Sequence, residues 1–432
     1  MKKLLHGFVS IAVAIICSVL AGTLLLTAVY SIPLSSIEKN VKSSARTFEH
    51  DKSHDVLFSW CSSTLDIYTD SYMFSEATYN GDETVLTKVM ASYYGTIGEK
   101  TVLESFIAHN IDNVEYDNKM EYSRYWHGYL VFLKPLLLLF DYTGIRIINT
   151  IIQCVLTGWL LLLLYKSGLK HLILPYVITF SFLMPITCLM CMQFSSCFYI
   201  FTITSIVLLL NKNKISDEKT ALLIFAFSGI ATAFFDFLTF PITTFGIPIV
   251  IYLCLRLKQP IKKILKELGV VFGAWLVGYA GMWFSKWIVA SVVLQKNVIT
   301  EGLASVSTRT SQVTPGTDSM LNKVPLFGVF IRNFRALFFT PATIVFLAYI
   351  IVMMIIIIRM KHVKNTLTSD SRKLIIPFAA IGGLPIIWYV FTVNHSSVHY
   401  MITFRTAVVL IFAICGYLAT VYQKYNHTPN LS

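Results

Sequence analysis

Long apolar runs separated by short basic segments dominate this chain. The first run extends from Phe8 to Tyr30, a stretch of 23 largely apolar residues, and follows Lys2 and Lys3. A transmembrane helix needs about 20 apolar residues, whereas the core of a cleaved signal peptide has only about 7–15. We therefore predict an uncleaved anchor whose N-terminus lies in the cytoplasm.

Further apolar runs predict nine more spans. They lie at about 144–165, 172–190, 193–210, 220–237, 240–255, 268–292, 335–358, 374–393 and 406–422. The predicted fold class is an all-α polytopic membrane protein with about 10 transmembrane helices. We predict a lipid bilayer as its first partner. An α-helix satisfies all of its backbone hydrogen bonds internally, so apolar helices can cross lipid.

One long polar stretch interrupts the pattern between the first two spans. Apolar positions within it repeat with a helical period in pieces such as 84–108. The apolar piece at 129–140 contains Lys134-Pro135 and is too short to span, so an interfacial helix is expected there. The predicted organisation is an anchor at 1–30, an exported loop at 31–143, a nine-span domain at 144–422 and a cytoplasmic tail at 423–432.

Composition also indicates that lipid is the solvent for this chain. Of 432 residues, 55% are hydrophobic and 13% are charged, and the mean hydropathy is +0.66. A soluble domain has about 25% charged residues. The net charge of +12 is unevenly spread, since residues 31–125 hold 15 acidic and 8 basic side chains, a local net of −7, and the rest carries +19. We interpret this uneven distribution as an indication of membrane topology, and we therefore predict no nucleic acid partner.

The lysines and arginines concentrate in alternate loops between the predicted spans, which marks those loops as cytoplasmic. The basic loops are 166–170, 212–219, 256–266 and 359–373. Both termini are then inside, in a multi-pass protein of the cell membrane. Ionisable groups of the spans fall near the outer ends and none falls at the midplane, where ion-coupled transporters often place them.

The first candidate site is an acidic stretch of the exported loop. It contains Asp66 and Asp70, with Glu76 just beyond. On a helix Asp66 and Asp70 would share a face, where like charges repel by about 0.2–0.5 kcal/mol. A cation, a held proton or a substrate hydroxyl would relieve that repulsion, and a solvated acidic face is the alternative interpretation.

A second candidate lies where the polar stretch approaches the membrane. Arg124, Trp126 and His127 stand together among tyrosines, and Lys134 follows in the interfacial helix. Aromatic and basic side chains at an interface serve as membrane anchors. They also suit sugar stacking and phosphate pairing.

A third candidate is a short outer loop between the last two spans. His395 and His399 are four residues apart, as in some zinc sites, but no third ligand or general-base Glu accompanies them. Together with Arg405 they could hold a phosphate oxygen at the headgroup plane. An interfacial polar turn is the alternative.

Two more charged residues belong to the predicted outer side. Asp236 stands among aromatic residues at the end of a span, where an acid is costly unless partnered, so we predict a functional role or a basic partner. Arg309 lies in the predicted outer loop 293–334. The chain has no Gly-x-Ser-x-Gly, phosphate-binding glycine loop or His-Glu-x-x-His, so ordinary hydrolases and nucleotide enzymes lack support.

With these features the chain resembles membrane glycosyltransferases of the GT-C superfamily. In both, a first span leads into a long exported loop with an Asp pair, the loop ends in an aromatic and basic interfacial helix, and many spans follow. The chain is also similar to polytopic membrane proteins of Gram-positive bacteria. The shared stretches are 65–73, 124–128, 235–239 and 388–405.

The resemblance implies transfer of a sugar from a polyprenyl phosphate donor, outside the cytoplasm and with inversion. An Asp of the exported loop would act as base, for which we favour Asp66 with Asp70 as its partner. Many members also use a divalent cation; no other cofactor is expected. The remaining predicted substrate contacts are Glu76, Arg124, Trp126, His127, Lys134, Asp236, Arg309, His395, His399 and Arg405.

The acceptor expected from the resemblance is a cell-envelope glycan or a lipid-linked molecule, since the chain lacks the large soluble C-terminal domain of oligosaccharyltransferases. A lipid-linked glycan flippase or transporter is the main alternative, and the uncharged midplane counts against it. A polysaccharide polymerase or an envelope acyltransferase is also compatible with the sequence.

Overall fold

Helices make up nearly all of the computed structural model, which describes residues 2–215, 217–312, 325–363 and 373–427. Within these ranges seven helices are long and apolar enough to cross a membrane. They are Gly7–Tyr30, Tyr142–Lys166, Met192–Leu210, Glu218–Phe235, Ile261–Leu294, Ala342–Met360 and Tyr400–Lys424. The prediction of a multi-pass all-α membrane protein is confirmed at this level.

The first half of the chain contains ten helices and two short strands within the described residues. They are α1 (Lys2–Tyr30), α2 (Glu38–Asp51), α3 (Ile67–Ala77), α4 (Val85–Ala91), β1 (Tyr94–Thr96), α5 (Val102–Asp112), β2 (Asn118–Met120), α6 (Leu130–Leu137), α7 (Tyr142–Lys166), α8 (Ile173–Phe182), α9 (Pro185–Met190) and α10 (Met192–Leu210). The strands form one antiparallel pair.

The second half contains the remaining described helices. They are α11 (Glu218–Phe235), α12 (Ile242–Arg256), α13 (Ile261–Leu294), α14 (Val298–Thr310), α15 (Leu326–Phe338), α16 (Ala342–Val363), α17 (Ile375–Gly382), α18 (Leu384–Phe391), α19 (Val393–Val398), α20 (Tyr400–Thr403) and α21 (Val408–His427). The predicted basic loop after α16 lies mostly outside the described residues, as do residues 428–432 of the predicted tail.

Three of the ten predicted spans fall short of a continuous long helix. The predicted span 172–190 is broken between α8 and α9, because Met184 adopts a left-handed φ of 53° directly before Pro185. A proline at the first position of α9 has no N–H to continue the preceding helix. The other two are α12, with 15 residues, and the apolar stretch Ile375–Phe391.

The predicted span 335–358 also begins elsewhere. Residues 326–338 form a separate helix, α15, and the long apolar helix starts only at Ala342, after Pro341. Helix α15 exposes Phe327 and Ile331 and carries Arg332 and Arg335 on its surface. Arg335, which the predicted span 335–358 included, therefore belongs with Arg332 to an amphipathic helix beside the long apolar one.

The polar segment between α1 and α7 is folded around an aromatic core. Phe48 of α2 contacts Phe74 of α3, Phe106 of α5 and Tyr142 of α7, with ring centroids 4.9, 5.6 and 4.6 Å apart. All four rings are almost fully buried. This core fixes α3, and with it the acidic stretch, against the first turn of α7.

A buried cation joins the same polar segment to the membrane helices. The ammonium of Lys286, on α13, donates to the carbonyls of Val89 (3.1 Å) and Met90 (3.0 Å) near the end of α4. Trp126 donates its indole N–H to the carbonyl of Met282, also on α13, at 2.7 Å. Carbonyls at a helix C-terminus carry partial negative charge, so a lysine there is stabilising.

Helices α11 and α13 approach each other through glycine. A Cβ added at Gly229 would lie 2.1 Å from the carbonyl oxygen of Trp275, and one added at Gly278 would lie 2.3 Å from that of Ala226. Small residues at such a crossing let two backbones touch, which is a common packing mode within membranes. At the opposite end of α13 from Lys286, Glu267 forms a two-point ion pair with Arg256, both bonds 2.8 Å long.

Candidate functional site

Asp66 begins the helix that carries the acidic stretch. It is the N-cap of α3, and its carboxylate accepts the backbone N–H (3.0 Å) and the hydroxyl (2.9 Å) of Thr69. An Asp at this position satisfies an otherwise unpaired helix N–H group. The side chain is nearly buried, with 3% exposure. Each carboxylate oxygen still has a lone pair available for a substrate hydroxyl.

Two imidazoles flank the Asp66 carboxylate. Nε2 of His54 lies 3.7 Å from Oδ1, and His54 is 44% exposed. His399 lies close enough for its charge to act on Asp66. Burial raises the pKa of Asp66, while the bonds from Thr69 and the electrostatic interactions with His54 and His399 lower it. The net shift is upward, which makes Asp66 a better proton acceptor than an exposed carboxylate.

Asp70 does not share the surroundings of Asp66. Its carboxylate is fully buried, with 0% exposure, and accepts the Tyr142 hydroxyl and the backbone N–H groups of Met192 (2.8 Å) and Gln193 (2.9 Å). Those N–H groups open α10, so Asp70 caps a membrane helix. Burial raises its pKa to about 7 against the lowering effect of these bonds. The geometry assigns Asp70 a positioning role, not that of a second substrate-facing carboxylate.

A polar cavity of about 540 Å³ opens at the end of the molecule where the acidic stretch lies. Its walls are α14, α19 and the segment that precedes α6. Four residues predicted from the sequence line it: Arg124, Arg309, His395 and His399. They are separated by up to 275 positions in the chain. Asp66 is not among the residues that line the cavity, but His399, which does line it, interacts electrostatically with Asp66.

The charged groups that line the cavity include two guanidinium groups and the carboxylate of Glu301. Nε of Arg124 is buried and has no hydrogen-bond partner among the described residues. Arg309 donates to the hydroxyl of Tyr125 (2.7 Å) and to the carbonyl of Ser305 (3.3 Å). The nearby carboxylates Glu121 and Glu301 pair with Lys296, at 2.7 and 3.0 Å.

An unpaired buried donor is destabilising by about 1–3 kcal/mol, more when charged. Arg124, whose Nε lacks an acceptor, and Arg309 together outnumber the one carboxylate that lines the cavity, Glu301, so the lining suits an anionic ligand.

Burial disfavours the cationic form of both cavity histidines. Burial lowers the pKa of His395 to about 3, with further lowering from His399 and Arg309. Nε2 of His395 lies 2.8 Å from the carbonyl oxygen of Leu238. A carbonyl only accepts, so Nε2 carries the proton and Nδ1 offers a lone pair. Burial also lowers the pKa of His399, although Asp66 opposes this. These imidazoles suit sugar hydroxyls better than phosphate oxygens.

Arg405 lies outside the cavity, contrary to the sequence-based expectation of a phosphate contact. It has 0% exposure, and its guanidinium donates to the carbonyls of Leu183 (3.0 Å) and Met401 (3.0 Å) and to the hydroxyl of Thr187 (2.6 Å). Its Cζ lies 4.0 Å from the ring centroid of Phe194. Arg405 holds the break between α8 and α9 together, where carbonyls are left without helix partners.

Glu76 and His127 form a buried pair below the cavity. Oε2 of Glu76 lies 2.9 Å from Nδ1 of His127 and also accepts the hydroxyl of Tyr129. His127 has a left-handed φ of 55° and contacts the carbonyl of Tyr122 through Nε2 at 2.8 Å. Neither Glu76 nor His127 lines the cavity. Their contacts hold the aromatic stretch against α3.

Three more of the predicted substrate contacts are buried and make structural contacts instead, namely Trp126, Lys134 and Asp236. Trp126 is fixed by its bond to α13, described above. The ammonium of Lys134 lies 5.2 Å from the ring centroid of Tyr30, and burial lowers its pKa to about 8. Asp236 ends α11 and accepts the N–H (3.0 Å) and the hydroxyl of Thr239. The basic partner predicted for Asp236 is not found among the described residues.

The described residues contain no group of three or more His, Cys, Asp or Glu side chains arranged to hold a metal ion. His395 and His399 have ring centroids 4.8 Å apart, but no acidic or cysteine ligand completes a set with them. The divalent cation implied by the resemblance has no matching ligand set in this part of the chain, and the chemistry proposed below uses none.

The sequence did not point to His54 or to the tyrosines beside it. His54 stands in a polar segment with no periodic signal, and only folding brings it to Asp66. Its ring stacks on Tyr68, with centroids 5.9 Å apart, and Tyr68 contacts Tyr72 at 5.3 Å. The signal available in the sequence was the pair Tyr68 and Tyr72, which are four residues apart, a spacing that brings two side chains together on a helix.

Comparison with known proteins adds no relative to this picture. The chain matches no protein-family model, no curated protein and no solved structure. The interpretation of the site therefore depends on its geometry and on the sequence resemblance described above.

Proposed function

We propose that this protein is a membrane glycosyltransferase that moves a sugar from a polyprenyl phosphate donor to an acceptor hydroxyl, with inversion, on the non-cytoplasmic side of the membrane. The observation that carries the proposal is the cavity that Arg124, Arg309 and His399 line, together with the electrostatic interaction between His399 and Asp66. The cavity offers cations for a phosphate and imidazoles for sugar hydroxyls, and Asp66 offers a carboxylate for proton transfer.

The proposed reaction involves three groups, namely the acceptor hydroxyl, the carboxylate of Asp66 and the leaving phosphate. The acceptor oxygen attacks the anomeric carbon as its proton passes to the carboxylate of Asp66. The bond between that carbon and the phosphate oxygen breaks, and polyprenyl phosphate leaves with the electron pair. A positioned base typically contributes about 10²–10⁴-fold to such a reaction. The leaving phosphate needs charge stabilisation, for which Arg124 and Arg309 are positioned.

The dimensions and setting of the cavity agree with this proposal. Its volume of about 540 Å³ lies within the roughly 300–1,000 Å³ range of ligand pockets. We propose that a lipid phosphate enters the cavity with its chain in the bilayer. A flippase, which is the alternative, would need a polar path between the membrane helices for the headgroup of the lipid.

The test is donor consumption by purified protein in lipid vesicles containing radiolabelled polyprenyl-phosphate sugars. We expect release of polyprenyl phosphate from at least one donor. Arg124→Gln and Arg309→Gln should each raise the donor KM at least roughly tenfold, as expected for a charge-assisted contact of about 1.5–3 kcal/mol. Arg46→Gln, at an exposed arginine of α2, is the matched control. Failure to consume any donor, with labelled lipid moving across the bilayer instead, would identify a flippase.

A further inference from the structure

A row of tyrosines extends from His54, beside Asp66, to Arg124, which lines the cavity. It consists of Tyr68 and Tyr72 on α3 and Tyr122 on the segment after β2, which we call the tyrosine row. Successive ring centroids are 5.3 and 6.2 Å apart. All three side chains are half-buried. The row is therefore partly open to solvent.

The two ends of the row coincide with the two halves of the proposed site. Tyr68 follows Asp66 by one helical half-turn and stacks on His54, which itself lies 3.7 Å from Asp66. At the other end, the guanidinium of Arg124 lies 4.9 Å from the ring centroid of Tyr122. A molecule lying along the row would thus reach the base at one end and the cationic cavity at the other.

The choice of aromatic residue differs between the two faces of α3. The buried face packs Phe74, with 0% exposure, against Phe48, Phe106 and Tyr142. The face at Tyr68 and Tyr72 instead keeps hydroxyl groups, whose oxygens lie 3.4 Å apart. An apolar ring with a polar edge is typical of surfaces that contact a partly polar ligand. Packing alone would be served by phenylalanine, as on the other face.

From these contacts we infer that the tyrosine row binds the acceptor, and that the acceptor is a saccharide. The inference depends on the proposed function, because it takes Asp66 as the base that the acceptor hydroxyl must reach. Sugar rings present C–H faces that stack on tyrosine and hydroxyls that bond to the phenol oxygens. The row itself carries no charge, whereas the donor phosphate is held by the arginines at its end.

The experiment measures acceptor use with three kinds of probe. Donor-loaded vesicles receive a panel of end-labelled di- to tetrasaccharides, a serine- and threonine-rich peptide, or a free polyprenyl alcohol. We expect transfer to a saccharide. Tyr72→Ala and Tyr68→Ala should raise the acceptor KM roughly tenfold or more with an unchanged donor KM. Tyr72→Phe, which keeps the ring, should raise the acceptor KM by less than Tyr72→Ala does.

The controls separate this inference from the proposed function. Tyr79→Ala alters a tyrosine of the same segment outside the row and should leave the acceptor KM at the parent value. Transfer by the parent protein to the peptide or the polyprenyl alcohol, but not to a saccharide, would overturn the acceptor assignment alone. So would an unchanged acceptor KM in both alanine variants. A parent protein that never consumes donor would overturn both proposals.

Discussion

Asp66 and Asp70 look equivalent in the sequence but differ in the folded protein. Asp70 is fully buried and accepts three donors, two of them at the start of α10, whereas Asp66 accepts two from Thr69 and lies 3.7 Å from Nε2 of His54. Spacing of four residues predicts a shared helical face, but Asp66 is the cap and does not lie within the helix. The cap could be anticipated from an Asp before a helical segment; the partner of Asp70, 122 positions away, could not.

The raised pKa of Asp66 predicts a pH profile. A base must be deprotonated, so kcat/KM should fall as the pH drops through the pKa of the free enzyme. Because burial raises that pKa, the acidic limb should lie above the ordinary value of about 4 for Asp. His54→Gln removes a neighbour that lowers the pKa and should move the limb to still higher pH. If the acidic limb lies at the same pH in His54→Gln as in the parent protein, His54 does not influence the pKa of Asp66.

Arg405 is predicted to act on folding. Arg405→Ala removes a charged donor from the carbonyls of Leu183 and Met401, and a hydrogen bond to a charged group is worth about 1.5–3 kcal/mol. We expect a lower thermal midpoint and lower yield in detergent, with a normal donor KM in the protein that survives. Arg309→Ala should show the reverse pattern. A stable Arg405→Ala protein with a raised donor KM would return Arg405 to the phosphate site.

At the scale of elements, apolar run length predicted where most helices lie but not where they break. Seven predicted spans correspond to long helices, since about 20 apolar residues are enough for the assignment. The break at Met184 was missed because a left-handed residue before a proline is a local backbone choice within a uniformly apolar run. The separation of α15 from α16 was missed although Pro341 marks it, because its phenylalanines extended the apolar signal.

The crossing of α11 and α13 gives a prediction for an element. Gly278→Val would place a side chain against the backbone of Ala226, where even a Cβ would come within 2.3 Å of the carbonyl oxygen. The helices must then separate, and their packing contacts are lost. We expect a marked fall in thermal midpoint. Gly273→Val is the matched control, since a Cβ added there meets nothing within 4 Å. Equal stability of both variants would exclude the close crossing.

For the whole molecule, the sequence indicated the polytopic architecture and the end at which charges collect. It also nominated Arg124, Arg309, His395 and His399, which the fold brings into one cavity. It could not separate Arg309 from Arg405, because both are arginines at the predicted outer side. Burial and hydrogen-bond partners distinguish them, and both depend on packing between segments distant in the chain.

Membrane orientation gives the prediction at this scale. In a Cys61→Ser background, a cysteine at Glu99 lies on the exposed surface of the polar segment, and one at Lys258 lies in the exposed loop between α12 and α13. Because the basic loops predict a cytoplasmic side, an impermeant thiol reagent on intact cells should label the first but not the second. Permeabilised cells should label both. The opposite pattern would place the cavity in the cytoplasm.

Transfer in a single turnover tests the assignment of Asp66 most directly. Vesicles with saturating labelled donor are mixed with acceptor and quenched at short times, for the parent protein and for Asp66→Asn. Asparagine is an equally good helix cap, so folding and donor binding should survive while proton acceptance is lost. We expect transfer to slow at least ~10²-fold, and Asp82→Asn, at an exposed acid, to keep the parent rate. Transfer by Asp66→Asn at the parent rate would contradict Asp66 as the base.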